Sequence, residues 1–344
     1  MSAYPIRTAR LTVRIMGSRD IPTLLAYRND PQVAELQAWE LPYTEADAEW
    51  LTRQDGLTDL ADQGWTQLAI DLDGQHIGDV AVCLDETGRQ ATIGFTLARE
   101  HWGRGLAREA AYAVVADLVD RRGVVRLTGE CDPRNLGSMR TLEAIGLVHS
   151  HDAQQSCLWR GAWADTTYYR VTASAWQSWR DRPTGAPAEL ALVRIESGTA
   201  RAWQRVQTHH TQRRFVATVA DSYADALFPE DWRGAPLVPV LRGLLADGER
   251  VGFLMYAAVT PSMPIPYLWR LLVDRRHQGR GIGTRALQLL ARELLDSGST
   301  TLWLTFVEGP GSPRDFYLGL GAQPTGEIVD RETVAVLDLA QLGA

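Results

Sequence analysis

The chain has 344 residues, of which 45% are hydrophobic and 22% charged, and its formal net charge is −7 at pH 7. This length fits two domains of ordinary size, and the composition excludes a disordered or membrane-spanning class. The negative charge argues against a nucleic-acid partner and favours cationic substrates such as amines, although an acidic surface also serves solubility alone.

The cysteines and the N-terminal residues bear on the cellular compartment. Cys83, Cys131 and Cys157 are scattered and odd in number, which argues against a disulfide framework and predicts a reducing compartment. No Cys or His cluster has the spacing of a metal site, so we expect no metal. The first residues lack a basic segment followed by an apolar one, and no apolar run reaches about 18 residues. We therefore expect a cytoplasmic protein without a membrane segment.

The first half of the chain predicts alternating strands and helices. Leu11–Ile15 alternates apolar and polar residues, as a half-buried strand does. Asp20 followed by Pro22 predicts the start of a helix, with the Asp20 side chain as its cap. Gly146 is expected to end the last helix of this half. Further strands are expected at residues 66–70, 76–84, 91–97, 124–130 and 167–171, and further helices at 106–119 and 138–145.

The second half repeats this order after a stretch rich in proline, glycine and alanine. That stretch predicts a linker at residues 183–188, between domains of residues 1–182 and 189–344. Strands are expected at residues 190–195, 251–258, 267–273, 301–306 and 334–337, and helices at 199–207, 221–227, 282–295 and 314–320. Both halves are therefore expected to adopt a layered α+β fold.

Two glycine-arginine-glycine turns, at residues 102–107 and 278–283, each stand immediately before an apolar helix. Such a turn points backbone N–H groups and the positive end of the helix dipole at an anion, and a pyrophosphate group suits this site. Other landmarks recur about 175 residues later, as Gly146 does at Gly321. We interpret the chain as a diverged tandem duplication of one domain.

The two turns do not match other phosphate-binding patterns. A dinucleotide-binding fold needs GxGxxG near its first strand, and a Walker loop needs Gly-Lys followed by Ser or Thr. A purely structural glycine turn remains an alternative for the first copy. It suits the second copy less well, because Arg275, Arg276, Gln278 and Arg280 form a cationic collar that a structural turn does not require.

The second turn, Gln278-x-x-Gly281-x-Gly283, follows an apolar strand and resembles the acetyl-CoA motif of the GNAT superfamily of N-acyltransferases. The first turn matches the same motif with Trp102 in place of the glutamine. The first half is similar to the branch that acetylates N-terminal amines of ribosomal proteins. The second half is similar to diamine or polyamine acetyltransferases, notably at residues 267–274 and 316–321. The resemblance implies two tandem GNAT-like domains, each a mixed, mostly antiparallel sheet flanked by helices.

The resemblance also implies acetyl-CoA as the acyl donor. In that family the turn binds the pyrophosphate and the preceding strand pairs with the pantetheine arm. The residues implied to contact it in the first half are Phe95, Thr96, Leu97, Trp102, Gly103, Arg104, Gly105, Leu106, Ala107 and Asn135. Those in the second half are Leu271, Leu272, Val273, Arg276, Gln278, Gly279, Arg280, Gly281, Ile282, Gly283 and Thr284.

Three side chains are candidates for the chemistry of amide formation. Tyr317 stands at the general-acid position of the family, and Glu308, at the end of a strand, is a candidate base. In the first half, Leu142 stands at the tyrosine position and Ser138 matches a serine near the thiolate in similar enzymes. Relatives often carry a glutamate where this half has Thr92. The second domain is therefore expected to be the main catalytic unit.

The acceptor is expected to be a primary amine, and its identity stays open. A polyamine, another small molecule such as an amine-bearing antibiotic, and a protein N-terminus are all compatible with the sequence. Trp159, Trp163, Trp176 and Trp179 either line an aromatic pocket or pack in a core. The alternative to an enzyme is an acyl-CoA-binding sensor or scaffold in which one or both domains lack catalysis. A monomer or a homodimer is expected.

Overall fold

The computed structural model describes residues 4–54 and 56–343. The contacts between residues divide the chain into two compact units, Met1–Asp181 and Arg182–Ala344. Each unit contains one large mixed sheet flanked by helices, so both halves have an α+β fold. No helix in the described ranges is both long and apolar enough to cross a membrane.

The first unit is built on one eight-stranded sheet. Its strands are β1 (Ile6–Arg7), β2 (Leu11–Ile15), β3 (Gly64–Leu72), β4 (Gln75–Leu84), β5 (Gln90–Leu97), β6 (Arg126–Cys131), β7 (Val148–Trp159) and β8 (Ala162–Thr172). Its helices are α1 (Ile21–Arg28), α2 (Pro31–Ala34), α3 (Glu45–Leu51), α4 (Leu106–Asp120), α5 (Leu136–Ala144) and α6 (Ala173–Arg180). The strand order is β1-β2-β3-β4-β5-β6-β8-β7.

Strands β5 and β6 diverge, and this opening positions the site of the first unit. They are parallel, whereas the other neighbouring strands of this sheet are antiparallel. Their ladder joins only residues 90–92 to residues 126–128, although β5 continues to Leu97. Backbone groups in the second half of β5 are therefore open to a ligand on this side.

Helix α4 packs its apolar stripe against the sheet. Ala110, Val114 and Leu118 recur at four-residue spacing and are fully buried in the core of the unit. Burial of a valine or leucine side chain stabilises the fold by roughly 1.5–3 kcal/mol. The core therefore fixes the start of α4 and, with it, the glycine turn that precedes the helix.

The second unit repeats this plan with a seven-stranded sheet. Its strands are β9 (Leu190–Arg194), β10 (Asp231–Trp232), β11 (Ala235–Pro236), β12 (Pro239–Ala246), β13 (Glu249–Ala257), β14 (Tyr267–Val273), β15 (Thr301–Val307), β16 (Gln323–Val329) and β17 (Glu332–Asp338). Its helices are α7 (Ala200–Trp203), α8 (Val219–Leu227), α9 (Ile282–Asp296), α10 (Arg314–Gly319) and α11 (Leu339–Gly343). The sheet order is β16-β17-β15-β14-β13-β12-β9, and β10 and β11 form a separate two-stranded sheet.

The same divergence occurs between β14 and β15. This parallel pair is joined only at Tyr267 opposite Trp303 and at Leu268 opposite Leu304, whereas β14 runs on to Val273. Helix α9 corresponds to α4 and buries Ala286, with Leu290 and Leu294 following at four-residue spacing. Both units therefore place a glycine turn and a long helix beside a split parallel pair.

The structure differs from the sequence-based expectation in several elements. The long strands β7, β12 and β16 were not expected. β7 and β16 are largely exposed and carry few alternating apolar residues, so their pairing with β8 and β17 forms them. The helix expected at residues 199–207 is reduced to α7. Beyond it, the N–H of Gln207 donates to the Asp274 carboxylate and its carbonyl accepts from the N–H of Arg275.

Asp20 and the segment expected to be a linker both make specific hydrogen bonds. Asp20 precedes α1 but does not cap it with its side chain, because its carboxylate accepts from the Arg14 guanidinium at 2.6 and 2.8 Å. In the segment at residues 183–188, the carbonyl of Gly185 accepts a 2.7 Å hydrogen bond from Arg280. The carbonyl of Pro187 accepts from Arg285 of α9.

The four tryptophans near the end of the first unit have different environments. Trp176 and Trp179 are buried, and the indole N–H of Trp176 donates to the carbonyl of Ile145. Both rings pack on Gly146, whose φ of +98° suits a residue just after a helix. Trp163 is 63% exposed. Trp159 lines the smaller cavity of this unit, whereas Trp176 and Trp179 pack in the core, so these described residues do not form one aromatic pocket.

Candidate active site

A cavity of about 510 Å³ opens where β14 and β15 diverge in the second unit. Its walls come from β14, the glycine turn, α10 and the segment that precedes α8. The lining residues are Thr208, Gln212, Phe215, Val216, Leu268, Trp269, Arg270, Leu271, Val273, His277, Gln278, Gly279, Gly281, Ile282, Gly283, Thr284, Thr305, Gly311, Ser312, Pro313, Phe316, Tyr317 and Glu332.

The glycine turn of this unit adopts a backbone that favours glycine. Gly279 and Gly281 have φ of +76° and +72°, and Gly281 directly precedes α9. Both α-carbons face open space, so a phosphate can approach the N–H groups at the start of the 15-residue helix. A side chain at either position would strain the backbone and intrude on this approach.

Gln278 joins the turn to its surroundings through its side-chain amide. The amide nitrogen donates to the carbonyl of Val273 at 3.0 Å and to the side-chain oxygen of Gln212 at 2.8 Å. Gln212 donates back to Gln278 at 3.2 Å. The turn is thereby fixed both to the end of β14 and to the 3-10 helix His210–Gln212.

Tyr317 is held in α10 and lines the cavity. The ring packs between Phe306 and Phe316, with centroid separations of 6.3 and 5.2 Å. Burial raises the pKa of Tyr317 well above its ordinary value, and the nearby Tyr267 and Glu332 raise it further. Its hydroxyl makes no hydrogen bond within the described ranges. Tyr317 is therefore a neutral phenol that can donate to a ligand.

Glu332 is a carboxylate in this cavity that the sequence did not indicate. It accepts a hydrogen bond from the hydroxyl of Thr305, which is itself 2.8 Å from the hydroxyl of Tyr267. Burial raises the pKa of Tyr267 to about 12, so Tyr267 stays protonated at neutral pH. This series of hydrogen bonds, Tyr267–Thr305–Glu332, thus orients one carboxylate oxygen of Glu332. The other oxygen stays available to a ligand in the cavity.

Glu308, the candidate base from the sequence, lies elsewhere. Its side chain is 56% exposed, stands 3.5 Å from the Arg314 guanidinium and does not line the cavity. Glu332 starts β17, where it is opposite Val307 of β15. Because that proximity arises from strand pairing, no local motif around residue 332 marks it.

The first unit has two adjoining cavities where β5 and β6 diverge. The larger, of about 700 Å³, is lined by the glycine turn and by Phe95, Thr96 and Leu97. The smaller, of about 180 Å³, contains the carboxylates of Glu130, Asp132 and Asp165. The two cavities meet at the residues that line both of them, which are Leu36, Gln37, Phe95, Asn135 and Ser138.

At this junction Ser138 and Asn135 belong to the start of α5. The side-chain oxygen of Asn135 caps this helix by accepting from the N–H of Ser138 at 3.0 Å. The hydroxyl of Ser138 makes no hydrogen bond to another described residue. Leu142 lines the smaller cavity, so no phenol occupies the place that Tyr317 has in the second unit.

Neither Thr92 nor Cys131 supplies a charge to the first site, and Thr92 lines neither of its two cavities. The Thr92 hydroxyl lies 2.9 Å from that of Thr128. Burial, together with the nearby Asp132 and Glu130 carboxylates, raises the pKa of the Cys131 thiol to about 12, so this thiol is protonated at neutral pH. Asp132 is paired with Arg134 at 2.6 Å. The acidic side chains of this site are therefore the carboxylates on the wall of the smaller cavity.

Each half of the chain matches a known protein family. Residues 10–148 match a family described as acetyltransferase (GNAT) domain, and residues 203–321 match the acetyltransferase (GNAT) family. The chain belongs to the GNAT acetyltransferase family. The two matches follow each other in the chain, one in each unit, so the protein contains two GNAT domains in tandem.

Relatives of these GNAT domains include bacterial proteins of about half this length. The uncharacterized N-acetyltransferase YjdG of Bacillus subtilis is 35% identical over 75 residues, which are 22% of this chain and 44% of YjdG. The uncharacterized protein YkkB of the same species is 30% identical over 150 residues, which are 42% of this chain and 84% of YkkB. The matched segment of this chain thus spans less than half the length of YjdG.

Solved structures with similarity to part of this chain include acetyltransferases. The crystal structure of spermidine N-acetyltransferase from Vibrio cholerae in complex with CoA and spermine is 16% identical, with a TM-score of 0.44. The similarity covers 49% of this chain and 99% of that protein.

In the second GNAT domain, most of the predicted cofactor contacts line one cavity. These are Leu271, Val273, Gln278, Gly279, Gly281, Ile282, Gly283 and Thr284. Leu272, Arg276 and Arg280 do not line it. Arg280 is 6% exposed, and its guanidinium bonds to Gly185 and to the ring of His277 at 2.8 Å, which directs it away from the cavity. Only the backbone N–H of Arg280 remains for a phosphate, so its side chain is not part of a collar.

In the first GNAT domain, the predicted contacts converge in the same way. Phe95, Thr96, Leu97, Trp102, Gly103, Gly105, Leu106, Ala107 and Asn135 line the larger cavity. Arg104 does not, since its guanidinium lies 3.3 Å from His101 Nδ1 and its carbonyl accepts from Arg10. Both turns therefore present backbone N–H groups, and neither presents the arginine between its glycines.

Proposed function

We propose that the second unit is an acetyl-CoA-dependent N-acetyltransferase centre that transfers an acetyl group directly to a primary amine. Tyr317 gives this proposal its main support. This neutral phenol lines the same cavity as the glycine turn, the exposed edge of β14 and the Glu332 carboxylate. These are the groups that a thioester, an attacking amine and a departing thiolate require.

The residues of the cavity fit acetyl-CoA as donor. The N–H groups at Gly279, Gly281 and the start of α9 would hold the pyrophosphate, and the edge of β14 would pair with the pantetheine arm. The open space over both glycines accommodates this approach. When bound, acetyl-CoA supplies an acetyl thioester whose carbonyl carbon is open to attack.

The chemistry then divides among three groups of this chain. Glu332 accepts a proton from the acceptor ammonium, so that the amine nitrogen carries a lone pair for the new C–N bond. A backbone N–H in residues 271–273 donates to the developing oxyanion. Tyr317 donates its proton to the sulfur as the C–S bond breaks. As the C–S bond breaks, the nitrogen loses its second proton to solvent, and solvent returns a proton to Tyr317. Solvent also removes the proton from Glu332, so one proton is released for each amide formed and the cycle closes.

The acceptor end of the cavity favours an amine on an apolar body. Phe215, Leu268 and Trp269 supply apolar surface, and Glu332 supplies negative charge. A small-molecule amine therefore fits this end. The three acids of the smaller cavity in the first unit would likewise attract a cation.

We propose a second role for the first unit, the binding of acyl-CoA without efficient transfer. Leu142 replaces the phenol, and the Thr92–Thr128 pair occupies the place of the carboxylate that relatives often carry. Ser138 remains the candidate donor to the thiolate. Binding without turnover would make this unit a sensor or scaffold for the second.

Tyr317→Phe tests the catalytic assignment. We expect kcat for thiol release with a panel of amines to fall about 100-fold, with little change in the Kd of acetyl-CoA measured by calorimetry. Tyr223→Phe is the control, since its hydroxyl bonds to the carbonyl of Ala200 outside this cavity. Undiminished turnover in Tyr317→Phe would overturn the role of the phenol.

A further inference from the structure

A second cleft in the second unit lies behind the glycine turn. It has a volume of about 290 Å³ and is bounded by the segment after α7, the start of β13 and the loop between β14 and α9. Its charged lining is Arg205, Arg250, Asp274, Arg275, Arg276 and His277, which we name the basic cleft. His277 lines both this cleft and the acetyl-CoA cavity, whereas Gly279 and Gly281 line only the latter.

The charges of the basic cleft are unbalanced. Four guanidinium groups face one carboxylate, that of Asp274, although the whole chain has a net charge of −7. The oxygens of Asp274 are already used, because they accept from the backbone N–H groups of Gln207 and Arg276 at 3.0 Å each. The carboxylate therefore stabilises the loop more than it neutralises the arginines.

Three of these arginines lack an acidic partner. Arg205, Arg250 and Arg276 form no ion pair with any residue of the described ranges, and Arg250 lies over the ring of Trp203 at 5.3 Å. Elsewhere in the unit, arginines such as Arg242 and Arg270 pair with carboxylates. Like charges that line one cleft repel one another, and an anion bound between them would relieve that repulsion.

The walls of the cleft are fixed before any ligand binds. The N–H of Arg275 donates to the carbonyl of Gln207 at 2.8 Å, which ties the loop to the segment after α7. Burial lowers the pKa of His277, so its ring is neutral, and its Nδ1 accepts a hydrogen bond from Arg280 at 2.8 Å. A preformed pocket with several guanidinium groups suits a tetrahedral dianion, because each fork offers parallel N–H donors.

We propose that the basic cleft binds the phosphate group of a phosphate ester, at a place separate from the pyrophosphate turn. Two sources share this chemistry. One is a phosphorylated small molecule that binds alongside acetyl-CoA, and the other is the 3′-phosphate at the nucleotide end of the donor. His277, which lines both cavities, places the basic cleft next to the acetyl-CoA cavity.

Calorimetry on the full chain with inorganic pyrophosphate as the probe tests this proposal. Saturating CoA is added first to fill the turn. For a separate ligand, we expect one pyrophosphate to bind per chain, at least tenfold more weakly to the Arg205→Ala/Arg250→Ala variant. The control Arg201→Ala/Arg292→Ala removes the same charge from exposed helix positions outside the cleft and should bind as the wild type does.

Dephospho-CoA separates the two sources. If the donor's own 3′-phosphate fills the cleft, pyrophosphate should bind to the protein saturated with dephospho-CoA but not with CoA. The Arg205→Ala/Arg250→Ala variant should then lose about tenfold in CoA affinity and little in affinity for dephospho-CoA. Pyrophosphate binding that is absent under both conditions, or equal in variant and wild type, would overturn the proposal. These readouts do not depend on turnover, so a failed catalytic assignment leaves them unaffected.

Discussion

The indole N–H of Trp102 donates a hydrogen bond of 2.9 Å to the carbonyl of Leu97, at the end of β5. The amide of Gln278 makes the corresponding bond of 3.0 Å to the carbonyl of Val273, at the end of β14. Two unlike side chains therefore perform one task, which is to tie the glycine turn to the strand before it. The tryptophan in the first motif preserves the geometry of the turn instead of abolishing it.

This equivalence predicts the effects of two substitutions at Trp102. Trp102→Phe removes the donor, and we expect it to lower the free energy of unfolding of the first unit by about 1 kcal/mol. Trp102→Gln offers an amide at the same place and should recover most of that loss. Urea denaturation of the full chain checks both values. Equal losses in the two variants would show that ring packing, and not the hydrogen bond, holds the turn.

Gly281→Ala should weaken acetyl-CoA binding to the second unit. The positive φ of Gly281 makes alanine unfavourable by about 1 kcal/mol, and the added methyl group also enters the phosphate approach. Gly298→Ala is a matched control, because Gly298 has a φ of +90°, also faces open space and lies beyond the end of α9. We expect both variants to lose a similar amount of stability. Only Gly281→Ala should bind acetyl-CoA at least tenfold more weakly in calorimetry.

Glu332→Gln and Glu308→Gln should separate the two candidate bases. Glu332 shares the cavity with Tyr317, whereas Glu308 is exposed beside Arg314. We expect kcat to fall about 100-fold in Glu332→Gln and to change less than twofold in Glu308→Gln. The Kd of acetyl-CoA should be unchanged in both variants. The reverse order of effects would restore Glu308 as the base and remove Glu332 from the mechanism.

The sequence anticipated the elements that local patterns encode. Helix α9 and strand β14 follow from their apolar periodicity, and the helix start follows from Gly281. These local patterns, together with the family resemblance, also indicated the mixed sheet of each unit. The recurrence of the turn indicated the duplication. These features depend on residues close together in the chain, which is why one sequence sufficed.

The features that escaped prediction depend on contacts that the local sequence pattern does not encode. Glu332 reaches the site only because β17 pairs with β15. Arg280 is turned from the expected collar by Gly185 and His277, 95 and 3 residues away. Strand β7 is polar and largely exposed, so its pairing with β8 defines it rather than its own periodicity. A local pattern carries no information about any of these partners.

Asp20 predicts how the stability of the first unit depends on pH. The side chain is 2% exposed and accepts from Arg14 and from the N–H of Gly17, and these bonds lower its pKa although burial opposes them. A carboxyl group with a lowered folded pKa stabilises the fold above its ordinary pKa of about 4. That contribution is lost as the pH falls through the folded value, because the unfolded chain binds the proton first.

Asp20→Asn should therefore destabilise the first unit by about 2–4 kcal/mol at pH 7, since it leaves the partly buried Arg14 with a single acidic partner, Asp71. The difference from the wild type should narrow as the pH falls below about 4. Urea denaturation of the variant and the wild type at pH 7 and pH 3 measures this difference in the free energy of unfolding. Asp62→Asn, at a fully exposed carboxylate, should change stability by less than about 0.5 kcal/mol at both values. A loss for Asp20→Asn that is equal at both pH values would mean that shape and hydrogen bonding, and not charge, account for the role of Asp20.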